Sequence, residues 1–103
     1  GRMNPSISAK LAQLGERLLE VDQLLSTEDA TKDMDTFRKL SRERAELDPV
    51  VNLLHAYQAC QSDIEAAREM TDDPEMKEFA AIEIEQGEAR LAELDSELQF
   101  QLL

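Results

Sequence analysis

The side chains of this 103-residue chain that are capable of chemistry fall into a few small groups. Asp72, Asp73 and Glu75 gather carboxylates around Pro74. Carboxylate oxygens are the donors that hard cations prefer, but a calcium loop spreads its ligands over about a dozen residues around a central glycine. Here Pro74 follows Asp73 directly, a pairing that opens helices. Asp73 therefore reads as a cap, Pro74 as a first-turn residue, and Glu75 as an anion placed where a helix N-terminus favours it. His55 has no histidine or cysteine at ligand spacing and reads as a surface or boundary residue. Cys60 is the sole cysteine, so no internal disulfide can form, which fits a reducing compartment. Without a histidine partner it reads as a small apolar side chain. No nucleophile–base pair, phosphate loop or metal set stands out. The reading is of no catalytic residue, no cofactor-binding residue, no metal ligand and no enzymatic activity in these residues.

Two charged clusters point instead to docking. Arg38, Lys39, Arg42 and Arg44 form the one dense basic patch in a chain of 11 basic and 23 acidic residues, with net charge −12. Such a patch either meets RNA or an acidic partner face, or pairs internally with carboxylates such as Glu43 and Glu46. Arg44 falls on an apolar stripe, so its stem is expected to cover the core while its head reaches solvent. At the other end of the chain, eight acidic residues from Glu75 to Glu97 face only Lys77 and Arg90. That is either a solvated face or a surface for a basic protein. The candidate docking residues are Glu83, Glu85 and Glu88 on this segment and Arg38, Lys39 and Arg42 on the basic one. The overall negative charge repels phosphate backbones, so little direct nucleic-acid binding is expected. No apolar run approaches the ~20 residues of a membrane span, and the N-terminus lacks an apolar signal core. A cytoplasmic setting away from membranes is the expectation.

The elements that position these groups are helices. Ile7, Leu11, Leu14, Leu18, Val21 and Leu25 step by threes and fours along one face. Asn4 can cap this helix with Pro5 in its first turn. Leu19 and Leu24 widen the stripe, which predicts contact with more than one neighbour. Gly15 weakens the helix by roughly 1 kcal/mol relative to alanine. Ser26 to Asp35 breaks the pattern with turn-forming residues. A second stripe runs through Phe37, Leu40, Arg44, Leu47, Val51, Leu54, Tyr57, Gln61 and Ile64. Pro49 lies within it and cannot donate to the Ala45 carbonyl. Because the stripe keeps its phase, a kink or very short break near Pro49 is favoured over two divergent helices. The last stripe is Met76, Ala80, Ile84, Gly87, Leu91, Leu94, Leu98 and Leu102. At 1.5 Å per residue the three segments span roughly 30, 55 and 45 Å. The expected fold is all-α: an antiparallel long-helix hairpin with a shorter N-terminal helix packed along it, three to four helices in all.

Three stretches, in this order and spacing, carry a resemblance. They are MNPSISAKL at Met3–Leu11, TFRKLSRERAEL at Thr36–Leu47 and DDPEM at Asp72–Met76. Together they resemble the N-terminal helical domain of bacterial class I peptide chain release factors, of the factor 1 type, over Met3–Leu103. Gly1 and Arg2 precede a natural initiator, Met3, and read as a remnant added for expression. The resemblance implies a fragment lacking the codon-reading and catalytic domains, since the family's Gly-Gly-Gln and Pro-x-Thr tripeptides are not among these residues. It implies a full protein that recognises stop codons and triggers peptidyl-tRNA hydrolysis on the ribosome. It also implies that this domain docks toward the stalk base of the large subunit. The class II release-factor GTPase and the methyltransferase that modifies the catalytic glutamine are the further partners implied. The alternative is a free-standing acidic helical-hairpin adaptor or coiled-coil interaction protein, with an acidic chaperone or regulator as a third reading.

Overall fold

A computed structural model describes residues 3–103; Gly1 and Arg2, the expected remnant, lie outside the described residues. Four helices follow one another: α1 Pro5–Leu25, α2 Glu28–Lys32, α3 Met34–Glu69 and α4 Lys77–Gln101. Among the described residues there is no strand, as the all-α reading requires. The chain divides into two compact units, Met3–Asn52 and Leu53–Leu103.

In Met3–Asn52, α1 starts where the sequence places it. The Asn4 side chain accepts the Ser6 N–H at 2.8 Å, and Pro5 occupies the first turn. Leu11, Leu18 and Val21 are buried, with Ile7, Leu14 and Leu25 half-buried beside them. Leu19 and Leu24 do not widen the stripe: they are 66% and 39% exposed. The helix ends at Ser26, whose N–H and hydroxyl both donate back to the Asp22 carbonyl.

The segment read as a simple break contains α2. Its first turn is capped by Thr27 Oγ1, which accepts the Ala30 N–H at 3.4 Å. Asp33 then opens α3: its carboxylate accepts the N–H groups of Asp35 and Thr36 and the Thr36 hydroxyl, satisfying donors that a helix start leaves unpaired. Leu18, Val21, Ala30, Leu40, Leu47 and Val51 close into one core, with Leu14 and Leu25 packed against it.

α3 runs for 36 residues without interruption, and Pro49 lies inside it rather than at a break. The reason is where the proline falls. Pro49 and Ala45 are both exposed, so the carbonyl that loses its N–H partner sits on the solvent side, where water can replace it. Leu47, Val50 and Val51 are buried and hold the same turn from the other side. The stripe itself differs in detail from the sequence reading. Arg44 and Gln61 are exposed, while Val50 and Ala67 are buried.

In Leu53–Leu103 the second part of α3 and α4 form the antiparallel hairpin. Tyr57, Ile64 and Ala67 are buried on one helix, and Ala80, Leu91, Leu94 and Leu98 on the other. The helices approach closely at Gly87. A Cβ there would stand 2.6 Å from Ile64 Cγ1. Cys60 Sγ donates to the Gly87 carbonyl at 3.3 Å, so the glycine that lets the backbones approach also receives the thiol.

The connection between them corrects the expected cap. Asp73 Oδ1 accepts the Glu75 N–H at 3.0 Å, and the Met76 N–H donates to the Asp73 carbonyl at 3.0 Å. These bonds close a local turn in which Pro74 and Glu75 lie. The helix begins only at Lys77, and Met76 makes no side-chain cap bond. α4 is therefore 25 residues, about 37 Å, rather than the longer helix expected.

Five substitutions test this packing by urea denaturation. Gly87→Ala forces a methyl against buried Ile64; overpacking of about 1–3 kcal/mol exceeds the ~1 kcal/mol gained in helix propensity, so it destabilises. Gly15→Ala meets no atom within 4 Å and stabilises by up to about 1 kcal/mol. Leu18→Ala and Leu94→Ala each cost about 2–5 kcal/mol, whereas exposed Leu19→Ala costs under about 0.5 kcal/mol. A Gly87→Ala protein more stable than the parent would contradict the close approach.

Candidate functional site

The basic cluster sits on the first part of α3. Helix geometry puts Arg38 and Arg42 about 40° apart, with Lys39 about 60° to the other side of Arg42, so the three share a face. All three are exposed. Arg38 approaches Asp35 only at 3.8 Å, and both side chains are largely in water. Among the described residues Lys39 and Arg42 form no ion pair within 4.0 Å. Arg44 leaves this group. Its Nε reaches back to Asp22 of α1 at 2.6 Å, an ion pair rather than the expected cover over the core.

A second ion pair joins the same two helices. Arg17 of α1 grips Glu43 of α3 with two bonds, Nε to Oε2 at 2.6 Å and Nη2 to Oε1 at 2.8 Å. Its remaining Nη1 donates to Glu20 at 2.9 Å. Fork-to-fork pairing of this kind fixes direction as well as distance. The hydrogen bonds from Arg17 draw the Glu43 carboxyl below its usual range against the opposing effect of burial; the charges of Arg17 and Lys39 add to the lowering. Asp22 likewise holds Arg44 in its charged form.

The acidic candidates lie on α4 in the other unit. Glu83 and Glu85 are exposed; Glu88 is half-buried and bonded to Arg68 at 2.6 Å. At 100° per residue, Glu83 and Glu88 are about 140° apart and flank the buried stripe on opposite sides. Only Glu85 and Glu88 share a face, so the structure does not bring the three together. On the outward face stand Phe79 and Ile82, 50% and 53% exposed, one turn apart and bordered by Glu78 and Glu85. Neither was expected to be a surface residue of interest.

Glu83 instead faces a groove of about 430 Å³ between α3 and α4, lined among others by Ala56, Cys60, Asp63, Gly87 and Arg90. Burial, with the negative charge of Asp63 next, pushes the Cys60 thiol up, which favours its protonated form. Arg90 is engaged with Glu93 at 3.3 Å. Among the described residues no three of histidine, cysteine, aspartate and glutamate converge where a metal ion could be held, and Asp72, Asp73 and Glu75 form no such group. His55 is exposed. No helix of the described residues is long and apolar enough to cross a membrane.

The sequence offered Glu43 only as a partner for the basic cluster of its own helix, and Arg17, Glu20 and Asp22 carried no expectation. The Arg17–Glu20 spacing is a legible helix-surface pair. The cross-helix bonds depend on the register of α1 against α3, for which one sequence carries no signal.

The PCRF domain model matches residues 14–103 of this chain. Over 101 residues the chain is 48% identical to peptide chain release factor 1 of Nitrosomonas europaea, covering 98% of this chain and 28% of that protein. It is 50% identical over 101 residues to peptide chain release factor 1 of Nitrosospira multiformis, with the same coverage. The chain thus spans little more than a quarter of the length of the curated relatives it matches.

The Arg17–Glu43 pair has a pH signature. A carboxyl with a depressed folded-state pKa contributes stability that is present above its unfolded pKa and lost as pH falls through its folded pKa. The window therefore lies below pH 4.5, the ordinary glutamate value. Acid also relieves repulsion in a chain of charge −12, so the parent alone mixes two effects. Glu43→Gln separates them: it is less stable than the parent in urea at pH 7, and the gap closes toward pH 3. A gap independent of pH would mean the pair contributes through packing alone.

Proposed function

The chain belongs to the PCRF-domain family, and from that premise we propose that it is the N-terminal helical domain of a translation termination factor, acting as a non-catalytic docking domain. The whole factor, in this reading, recognises stop codons and promotes peptidyl-tRNA hydrolysis on the ribosome in the cytoplasm. Both activities reside in regions of the factor that this chain does not span. The domain's own role is to guide the factor toward the stalk base of the large subunit and to offer a surface to the class II release-factor GTPase and the glutamine methyltransferase. Near-half identity to release factors across 98% of the chain favours this over a free-standing adaptor.

The observation that supports docking most directly is the outer face of α4. A merely solvated acidic face has no need of two large apolar side chains half in water. Phe79 and Ile82 beside Glu78 and Glu85 combine an apolar contact with a charged rim, the composition of a protein-binding patch. Complementary charge then acts on encounter rate and orientation. Arg38, Lys39 and Arg42 form a second candidate surface, of opposite sign, for an acidic partner or for ribosomal RNA.

The test uses a full-length factor carrying this domain, with release kinetics on stop-programmed ribosomes over a range of factor concentrations. Glu78→Lys with Glu85→Lys is the informative reversal. Glu88→Lys is avoided because it also breaks the bond to Arg68. The reversal raises the half-saturating concentration several-fold at low salt, leaves the saturated rate unchanged, and loses its effect as salt screens the charges. A lowered saturated rate at constant half-saturation would refute docking through this face. The 103-residue chain by itself hydrolyses no peptidyl-tRNA.

A further inference from the structure

The unit Met3–Asn52 contains a hollow of about 380 Å³ among α1, α2 and α3, with Leu24, Ala30 and Leu40 as its apolar floor and Asp29, Asp33 and Thr36 at its rim. We propose that this hollow receives a lysine or arginine side chain presented by a basic protein partner.

Its shape follows from α2. That short helix places Ala30 against the core where a larger residue would fill the space, and Ala30 is 5% exposed. Leu24, which the sequence assigns to a widened core stripe, keeps 39% of its surface open. The floor is therefore apolar and partly uncovered, beside the carboxyl groups of Asp29 and Asp33.

The rim fixes the sign of the occupant. Asp33 is held in one orientation by the Asp35 N–H at 3.1 Å, the Thr36 N–H at 3.3 Å and the Thr36 hydroxyl at 2.9 Å. The Thr36 bonds also keep its carboxyl below the usual range, so it stays anionic. Among the described residues neither Asp29 nor Asp33 has a cationic side chain within 4.0 Å. An anion would be repelled, and a neutral aliphatic group would shield two carboxylates from water without pairing them. A lysine or arginine meets both demands, its methylene stem lying on Leu24 and Leu40 and its head at Asp29 and Asp33. The volume is at the small end of ligand pockets and is more than enough for one long side chain.

The test is amide chemical-shift mapping of the ¹⁵N-labelled chain, titrated at low salt with a capped Leu-Lys-Leu peptide and with the same peptide carrying norleucine for lysine. The lysine peptide shifts Thr27 to Thr36 and Leu40, and the norleucine peptide does not. Asp29→Asn weakens binding about two- to five-fold, the range of a single exposed ion pair. Leu24→Ser, at a position already open to solvent, weakens it comparably while leaving the circular dichroism unchanged. Shifts spread evenly over the α4 carboxylates, equal binding of the norleucine peptide, or indifference to both substitutions would overturn the proposal. Tighter binding of spermidine at the same amides would also overturn it, by assigning the hollow to a free polyamine.

Discussion

With four aromatic residues and no disulfide, the chain must draw its stability from aliphatic burial, and α3 supplies buried side chains to each of the two units. Leu40, Leu47 and Val51 enter the core of Met3–Asn52, and Tyr57, Ile64 and Ala67 are the buried α3 positions of Leu53–Leu103. Full burial of an aliphatic side chain is worth about 1.5–3 kcal/mol, so a handful of such residues in each unit is enough to matter against the entropy of ordering the chain. Pro49 is the residue most able to interrupt α3. It is tolerated because it stands on the exposed side, where water can take the place of its missing hydrogen bond.

The charged residues act on a different level. Surface ion pairs add little free energy, but where two helices meet they select register. Arg17 with Glu43 and Arg44 with Asp22 tie α1 to α3 at two places, and Arg68 with Glu88 ties α3 to α4. An apolar stripe of leucines and valines can slide by a turn at modest cost. A bidentate guanidinium–carboxylate pair cannot. The acidic surplus left over lies on faces that also carry exposed apolar side chains, Phe79, Ile82 and Leu24.

The close approach at Gly87 shows how backbone and side-chain effects combine. The absence of a Cβ admits Ile64, which is 5% exposed, and brings Cys60 within reach of the Gly87 carbonyl. The thiol is thereby spent on packing and one weak hydrogen bond. Burial, with the charge of Asp63 next, raises its pKa.

The sequence by itself determined the helical class, the buried faces of α1 and α4, and the cap at Asn4. These depend on residues a few positions apart, and helical periodicity makes such neighbours legible. It also singled out Arg38, Lys39 and Arg42, which share a face because they lie within about one turn. Tertiary structure decided the rest. It left Leu19 and Leu24 open, because a helix face is buried only as far as a neighbour extends over it. It moved Asp73 from a helix cap to a turn, because the turn's own donors compete for the same oxygen. It separated Glu83 from Glu88 across the buried stripe of α4 and gave Glu88 to Arg68. It also assembled the hollow of Leu24, Asp29 and Asp33 from three helices. Contacts between residues far apart in the chain depend on register and crossing geometry, and a single sequence encodes these only through the summed packing of all its side chains.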